Sequence, residues 1–130
     1  MALLALGLNH TTAPVDLREQ VAFDAARLPE ALRHLRTQFM GVREGAILST
    51  CNRTELFLAV DAGVEPDLIG WLAHFHGVDA AVLSPHIYRF HDLRAAQHMM
   101  RVAAGLDSLV LGEPQIMGQF KEAMRPARDA

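Results

Sequence analysis

The chain's single cysteine, Cys51, stands in the polar run Ser49-Thr50-Cys51-Asn52-Arg53-Thr54-Glu55, between apolar residues 46–48 and 56–60. A thiol becomes a nucleophile as thiolate, and a guanidinium two residues away both favours that form and offers a planar fork to a carboxylate. An ordinary thiol is only about 3% thiolate at pH 7, so a cationic or proton-accepting neighbour matters. The other reading of the same residue is a small apolar core side chain, because free cysteine is among the most buried types. Two strand-like segments are normally joined by a glycine-containing turn. Residues 49–55 contain no glycine. The company of hydroxyl, amide, guanidinium and carboxyl groups keeps both readings open.

A second candidate is His98. Residues 93–104 have helical periodicity, with Leu93, Ala96, Met99, Met100, Val102 and Ala103 on one half and Arg94, Gln97, His98 and Arg101 on the other. That spacing predicts His98 on a polar surface, with Arg94 and Arg101 within reach of its ring. An imidazole there is either a proton carrier or an ordinary exposed histidine. A third candidate is the segment 105–119, whose glycines at 105, 112 and 118 fit neither a dinucleotide fingerprint nor a phosphate loop. Pro114 suits the first turn of a helix. Ser108, Glu113, Gln115 and Gln119 can converge near that helix start, or simply cap it. Of the seven histidines only His74 and His76 are close, and at i, i+2 of a helix they point apart. No zinc-binding spacing is present, so no metal is expected.

The elements that must position these groups follow from periodicity. Residues 3–8 predict a first strand. Asp16 and Glu19 suggest a capping box opening a short helix to about residue 23, and Asp24 a cap for the next, with Leu28, Leu32, Leu35 and Phe39 at core spacing. Residues 46–60 supply two antiparallel strands around Cys51. Pro66 and Asp67 open a helix that Gly77 closes. Residues 85–91 predict a fourth strand, followed by the helix bearing His98, which Gly105 stops. The expected fold class is therefore α+β: an antiparallel four-stranded sheet with helices packed on one face, ferredoxin-like.

The 130 residues form one expected domain, with 51% hydrophobic and 21% charged residues and a net charge of −3. The acidic balance excludes a generally basic nucleic-acid binder, although arginines cluster locally at 27–43 and 89–101. One cysteine fits a reducing compartment. No leader or apolar run of membrane-spanning length is visible, so a cytoplasmic protein without membrane association is expected.

Three segments together resemble the glutamyl-tRNA reductase family in its amino-terminal catalytic domain. They are Leu6-Gly7-Leu8-Asn9-His10-Thr11-Thr12-Ala13-Pro14, the run 49–55, and Gly105-Leu106-Asp107-Ser108 continued by Gly112-Glu113-Pro114-Gln115-Ile116 and Gly118-Gln119. The resemblance covers residues 3–125 in order. It implies that Cys51 attacks glutamyl-tRNA(Glu), releasing tRNA and leaving a thioester that NADPH reduces to glutamate-1-semialdehyde, the first step of tetrapyrrole (porphyrin, haem) synthesis. It also implies that Thr50, Asn52, Arg53, Ser108, Glu113, Pro114, Gln115 and Gln119 line the glutamate pocket, and that His98 serves catalysis. The family continues into NADPH-binding and dimerisation domains, so residues 1–130 are read as the catalytic domain alone, limited to acyl transfer or hydrolysis. By the same resemblance the expected partners are glutamyl-tRNA(Glu), glutamate-1-semialdehyde aminomutase and, through the missing domain, a second copy of the enzyme. Two other classes compete: a stand-alone cysteine-dependent ester hydrolase, and a non-catalytic ferredoxin-like interaction module.

Overall fold

Residues 2–9 read ALLALGLN, apolar at both alternating sets of positions, and such strands belong where both faces are covered. In the computed structural model, which describes residues 1–104, this segment is strand β1 (Ala2–Asn9), interior to its sheet. It lies between β3 (Arg53–Val60) and β4 (Tyr88–His91), and β2 (Val42–Ser49) forms the far edge. The order β2-β3-β1-β4, with every pair antiparallel, is the expected ferredoxin-like α+β arrangement. The register places Leu48, Glu55, Gly7 and Tyr88 in one row across the four strands, and Ala46, Phe57, Ala5 and Phe90 in the next.

One sheet face carries Leu4, Leu6, Leu8, Ile47, Leu56, Leu58 and Val60. Helices α1 (Val15–Gln20), α2 (Leu28–Gln38) and α3 (Leu68–His76) supply its cover. The opposite face, with Leu3, Ala5, Ala46, Leu48, Phe57 and Ala59, packs against α5 (Asp92–Ala104). Helices on one face is thus correct for α1–α3 and needs correction for α5. A sheet apolar on both sides must be covered on both. The crossing is abrupt: α5 begins at the residue after β4, with Asp92 in the left-handed region at φ 51°. Aspartate tolerates that conformation better than most residues, and here Asp92 Oδ1 accepts a hydrogen bond from Leu3 N at 3.1 Å, tying the corner to the sheet.

Several local expectations change. The Asp16/Glu19 capping box does not form; Pro14 is the N-cap of α1 and makes no side-chain bond. Asp24 precedes a 3-10 turn (Ala25–Arg27), also without a side-chain cap, that leads into α2. Two turns, α4 (Ala80–Leu83) and a 3-10 turn (Ser84–His86), precede β4, which is shorter than expected. Helix α3 follows the sequence: Asp67 Oδ1 accepts from Gly70 N at 3.0 Å, and Gly77 ends the helix at φ 67°. Among the described residues no helix is long and apolar enough to cross a membrane.

Behind α3 an aromatic group forms around Phe23, with Trp71 stacked at 6.2 Å, Phe75 tilted at 5.4 Å and the His76 edge at 4.4 Å. Burial first, then the Arg27 charge, pushes the His76 imidazole down to about 4. A folded-state value below the unfolded one makes the unfolded chain bind more protons. The contribution is therefore complete above the usual histidine range and lost as pH falls towards about 4. Because His76 is only partly buried, solvent screening reduces the effect to about 1–2 kcal/mol. Urea unfolding at several pH values is expected to show a steeper acid loss for the parent than for His76→Phe; parallel curves would contradict this.

Candidate active site

The β2–β3 hairpin presents Cys51 at its tip. Thr50 N donates to Arg53 O at 2.8 Å, and Thr50 Oγ1 accepts from Asn52 N at 3.2 Å, closing the turn through a side chain. Neither Cys51 nor Asn52 has a positive φ, so this turn does not need the glycine that primed turns require. Cys51 and Asn52 are exposed. The core-residue reading of Cys51 is thereby excluded. Part of the polar run serves the fold instead: Ser49 Oγ accepts from Phe23 N at 2.9 Å, and the buried Thr54 Oγ1 donates to Val21 O at 3.3 Å.

Strand alternation puts Arg53, Glu55 and Phe57 on the face towards α5. Glu55 is fully buried. Its side chain reaches over Gly7 towards Tyr88, two strands away in the same row. A Cβ on Gly7 would sit 2.4 Å from Thr54 O and 2.8 Å from Glu55 Cγ, so the missing side chain is what admits the carboxyl. Glu55 Oε1 accepts a short hydrogen bond from the Tyr88 hydroxyl, lies 2.5 Å from His98 Nε2, and accepts from Arg53 Nη1 at 3.5 Å. Burial, and then the Glu55 charge, raises the Tyr88 hydroxyl well above the usual phenol range, so it stays a donor.

His98 is not on the polar face of α5. It is buried with Ala95, Met99 and Val102, whereas Arg94, Gln97 and Arg101 are exposed and Leu93, expected inside, is 41% exposed. The reason is tertiary. Ala5 and Gly7 leave a trough in β1, and the imidazole inserts there between Phe57 at 6.3 Å and Phe90 at 4.7 Å, both near parallel to it. The partner of His98 is the buried Glu55, not Arg94 or Arg101. A carboxylate only accepts hydrogen bonds, so Nε2 donates the hydrogen of this contact.

The neighbouring corner is built by residues 9–14. Asn9 Oδ1 accepts from Thr11 N at 2.9 Å and Thr11 Oγ1 at 2.6 Å, Asn9 N donates to Thr12 Oγ1 at 3.0 Å, and His86 Nδ1 is 2.8 Å from Thr12 O. Asn9 is the cross-strand partner of Arg53. The hairpin tip, Arg53, Glu55, Tyr88 and His98 therefore share one end of the sheet. Glu55 and Tyr88 were missed from sequence; the available signal was a charged residue alternating with Phe57 and Ala59 on an apolar strand face, opposite a lone glycine in a strand. Ser108, Glu113, Pro114, Gln115 and Gln119 lie outside the described residues.

Residues 6–130 match the family described as glutamyl-tRNAGlu reductase, N-terminal domain. The chain is 57% identical over 129 residues to a glutamyl-tRNA reductase of Marinobacter nauticus and 54% identical to one of Chromohalobacter salexigens, covering 99% of this chain and 30% of each relative. It thus spans about a third of the length of these relatives. Among solved structures, glutamyl-tRNA reductase from Methanopyrus kandleri superposes with a TM-score of 0.57 at 28% identity, covering 98% of this chain and 28% of that one.

Proposed function

The chain belongs to the glutamyl-tRNA reductase family, matching its N-terminal domain, and from that membership we propose that it transfers the glutamyl group of glutamyl-tRNA(Glu) to Cys51. The observation that carries this reading is the exposed thiol at a glycine-free hairpin tip, two residues from an arginine on the sheet face of the buried Glu55–His98 pair. The Cys51 sulfur bonds to the ester carbonyl carbon, and the bond from that carbon to the terminal ribose oxygen breaks. The thiol proton ends on the ribose oxygen, with His98 proposed as its carrier, so deacylated tRNA leaves and glutamate remains as a thioester. Thr50 and Asn52 shape the tip, and Arg53 takes the substrate's side-chain carboxylate. Ser108, Glu113, Pro114, Gln115 and Gln119 are proposed to complete, with Thr50, Asn52 and Arg53, the lining of the glutamate pocket.

For the whole protein the same reading has NADPH supply the hydride that reduces the thioester. The described residues form an antiparallel sheet with no parallel βαβ phosphate turn, so they do not fit a dinucleotide and no step through it is assigned to them. Delivery of the semialdehyde to an aminomutase and pairing with a second copy of the enzyme belong to the same proposal for the whole protein.

Arg53 is mostly buried, and among the described residues only its Nη1 is shared with Glu55, which leaves the remaining donors for a carboxylate. Arg53→Lys keeps the charge and loses the planar fork. Acyl transfer is expected to fall roughly tenfold to hundredfold, the equivalent of ~1.5–3 kcal/mol of charge-assisted bonding. Rates near the parent's would remove Arg53 from substrate binding. The function itself is tested by release of deacylated tRNA when the chain meets glutamyl-tRNA or another aminoacyl-tRNA. Selective release from glutamyl-tRNA is expected; equal release from both indicates an unselective ester hydrolase, and release from neither a non-catalytic module.

A further inference from the structure

Resting on the acyl-transfer reading, we propose that Glu55 is the positioning residue of this site and that Tyr88 holds Glu55 in place. One oxygen, Oε1, gathers Tyr88, His98 and Arg53, while among the described residues Oε2 has no partner. The three come from different elements: Tyr88 from β4, His98 from α5 and Arg53 from β3. No other described contact joins the imidazole to the guanidinium. Glu55 therefore sets two things together: the tautomer and ring plane of His98, and the height of the Arg53 fork beside the hairpin tip. Tyr88 fixes the carboxyl from the side opposite its own strand, in the row Glu55–Gly7–Tyr88. A buried carboxyl that orients an imidazole at the end of the sheet that carries the Cys51 hairpin tip follows the general logic of a nucleophile, a base and an orienting third group.

The test uses Glu55→Gln, Glu55→Leu and Tyr88→Phe with two readouts. The first is the His98 tautomer in the substrate-free chain, read by long-range nitrogen–proton correlation. The second is the rate of glutamyl transfer to Cys51. The parent is expected to carry the hydrogen on Nε2. Glu55→Leu should mix the tautomers and slow transfer roughly ten- to hundredfold. Glu55→Gln retains one acceptor oxygen for all three donors, so it should keep the tautomer and recover much of the rate. Tyr88→Phe should keep the tautomer and slow transfer roughly three- to tenfold, as one of the three hydrogen bonds holding the Glu55 carboxyl is lost. If Glu55→Leu does not fold, Tyr88→Phe decides on rate. A parent with the hydrogen on Nδ1, a folded Glu55→Leu with parent tautomer and rate, or a Tyr88→Phe with parent rate overturns the proposal. The tautomer arm needs no tRNA, so absence of transfer by the parent counts against the acyl-transfer reading while the tautomer still judges the positioning.

Discussion

Cys51→Ser is expected to abolish acyl transfer from glutamyl-tRNA, with a loss on the order of 10³-fold or more, and to leave the fold intact. The thiol is exposed on a hairpin tip closed by backbone and Thr50 contacts, so its replacement removes no core packing. Serine is nearly isosteric but scarcely ionised at neutral pH, so the attacking atom is weakened and little else changes. The comparison is deacylation of glutamyl-tRNA under single-turnover conditions, alongside the melting temperature. Equal rates for parent and variant would make Cys51 a bystander. An unchanged melting point with lost transfer is the outcome the exposed tip requires.

Gly7→Ala is expected to be the most damaging small substitution among the described residues. The new methyl carbon falls 2.4 Å from the Thr54 carbonyl oxygen and 2.8 Å from Glu55 Cγ. The first is backbone in the neighbouring interior strand β3, which cannot retreat without opening the β1–β3 ladder. Overpacking of this kind costs about 3 kcal/mol or more when no flexible side chain can yield. The second clash pushes on Glu55, so Tyr88 and His98 lose their common acceptor. Urea unfolding should therefore show a much lower midpoint, and acyl transfer measured where the variant is still folded should fall as it does for Glu55→Leu. A variant as stable and active as the parent would show that the β1–β3 spacing is wrong.

The framework was legible because alternation and punctuation dominate it. The first strand, the paired strands around Cys51, Asp67 before α3 and Gly77 after it each appear where local chemistry points, whereas the cover of the second sheet face by α5 was not read from the apolar residues on both sides of 2–9. The site was legible in its covalent parts, Cys51 and Arg53, and less so in its support. His98 misled because helical periodicity counts histidine as polar, whereas the buried arc of α5 runs through Ala95, His98, Met99 and Val102. Only the presence of Glu55 across the sheet makes burial of that imidazole favourable, and cross-sheet pairing is not a local property. Glu55 ends a polar run, yet from two residues later its strand face is Phe57 and Ala59. Gly7 was the companion signal, since a glycine inside a strand marks a close approach. The short helix α4 carries no periodicity long enough to read, and the shortened β4 follows from Pro85, which sits in a 3-10 turn rather than in an extended edge.

The central claim is that glutamate becomes covalently attached to the Cys51 sulfur, and peptide mapping by mass spectrometry tests it most directly. The chain is mixed with glutamyl-tRNA, quenched in acid to preserve a thioester, digested and sequenced. The account predicts one glutamyl group on the peptide containing Cys51, removed by hydroxylamine and absent from Cys51→Ser. An unmodified Cys51 peptide while deacylated tRNA accumulates, or a glutamyl group on any other residue, would contradict it.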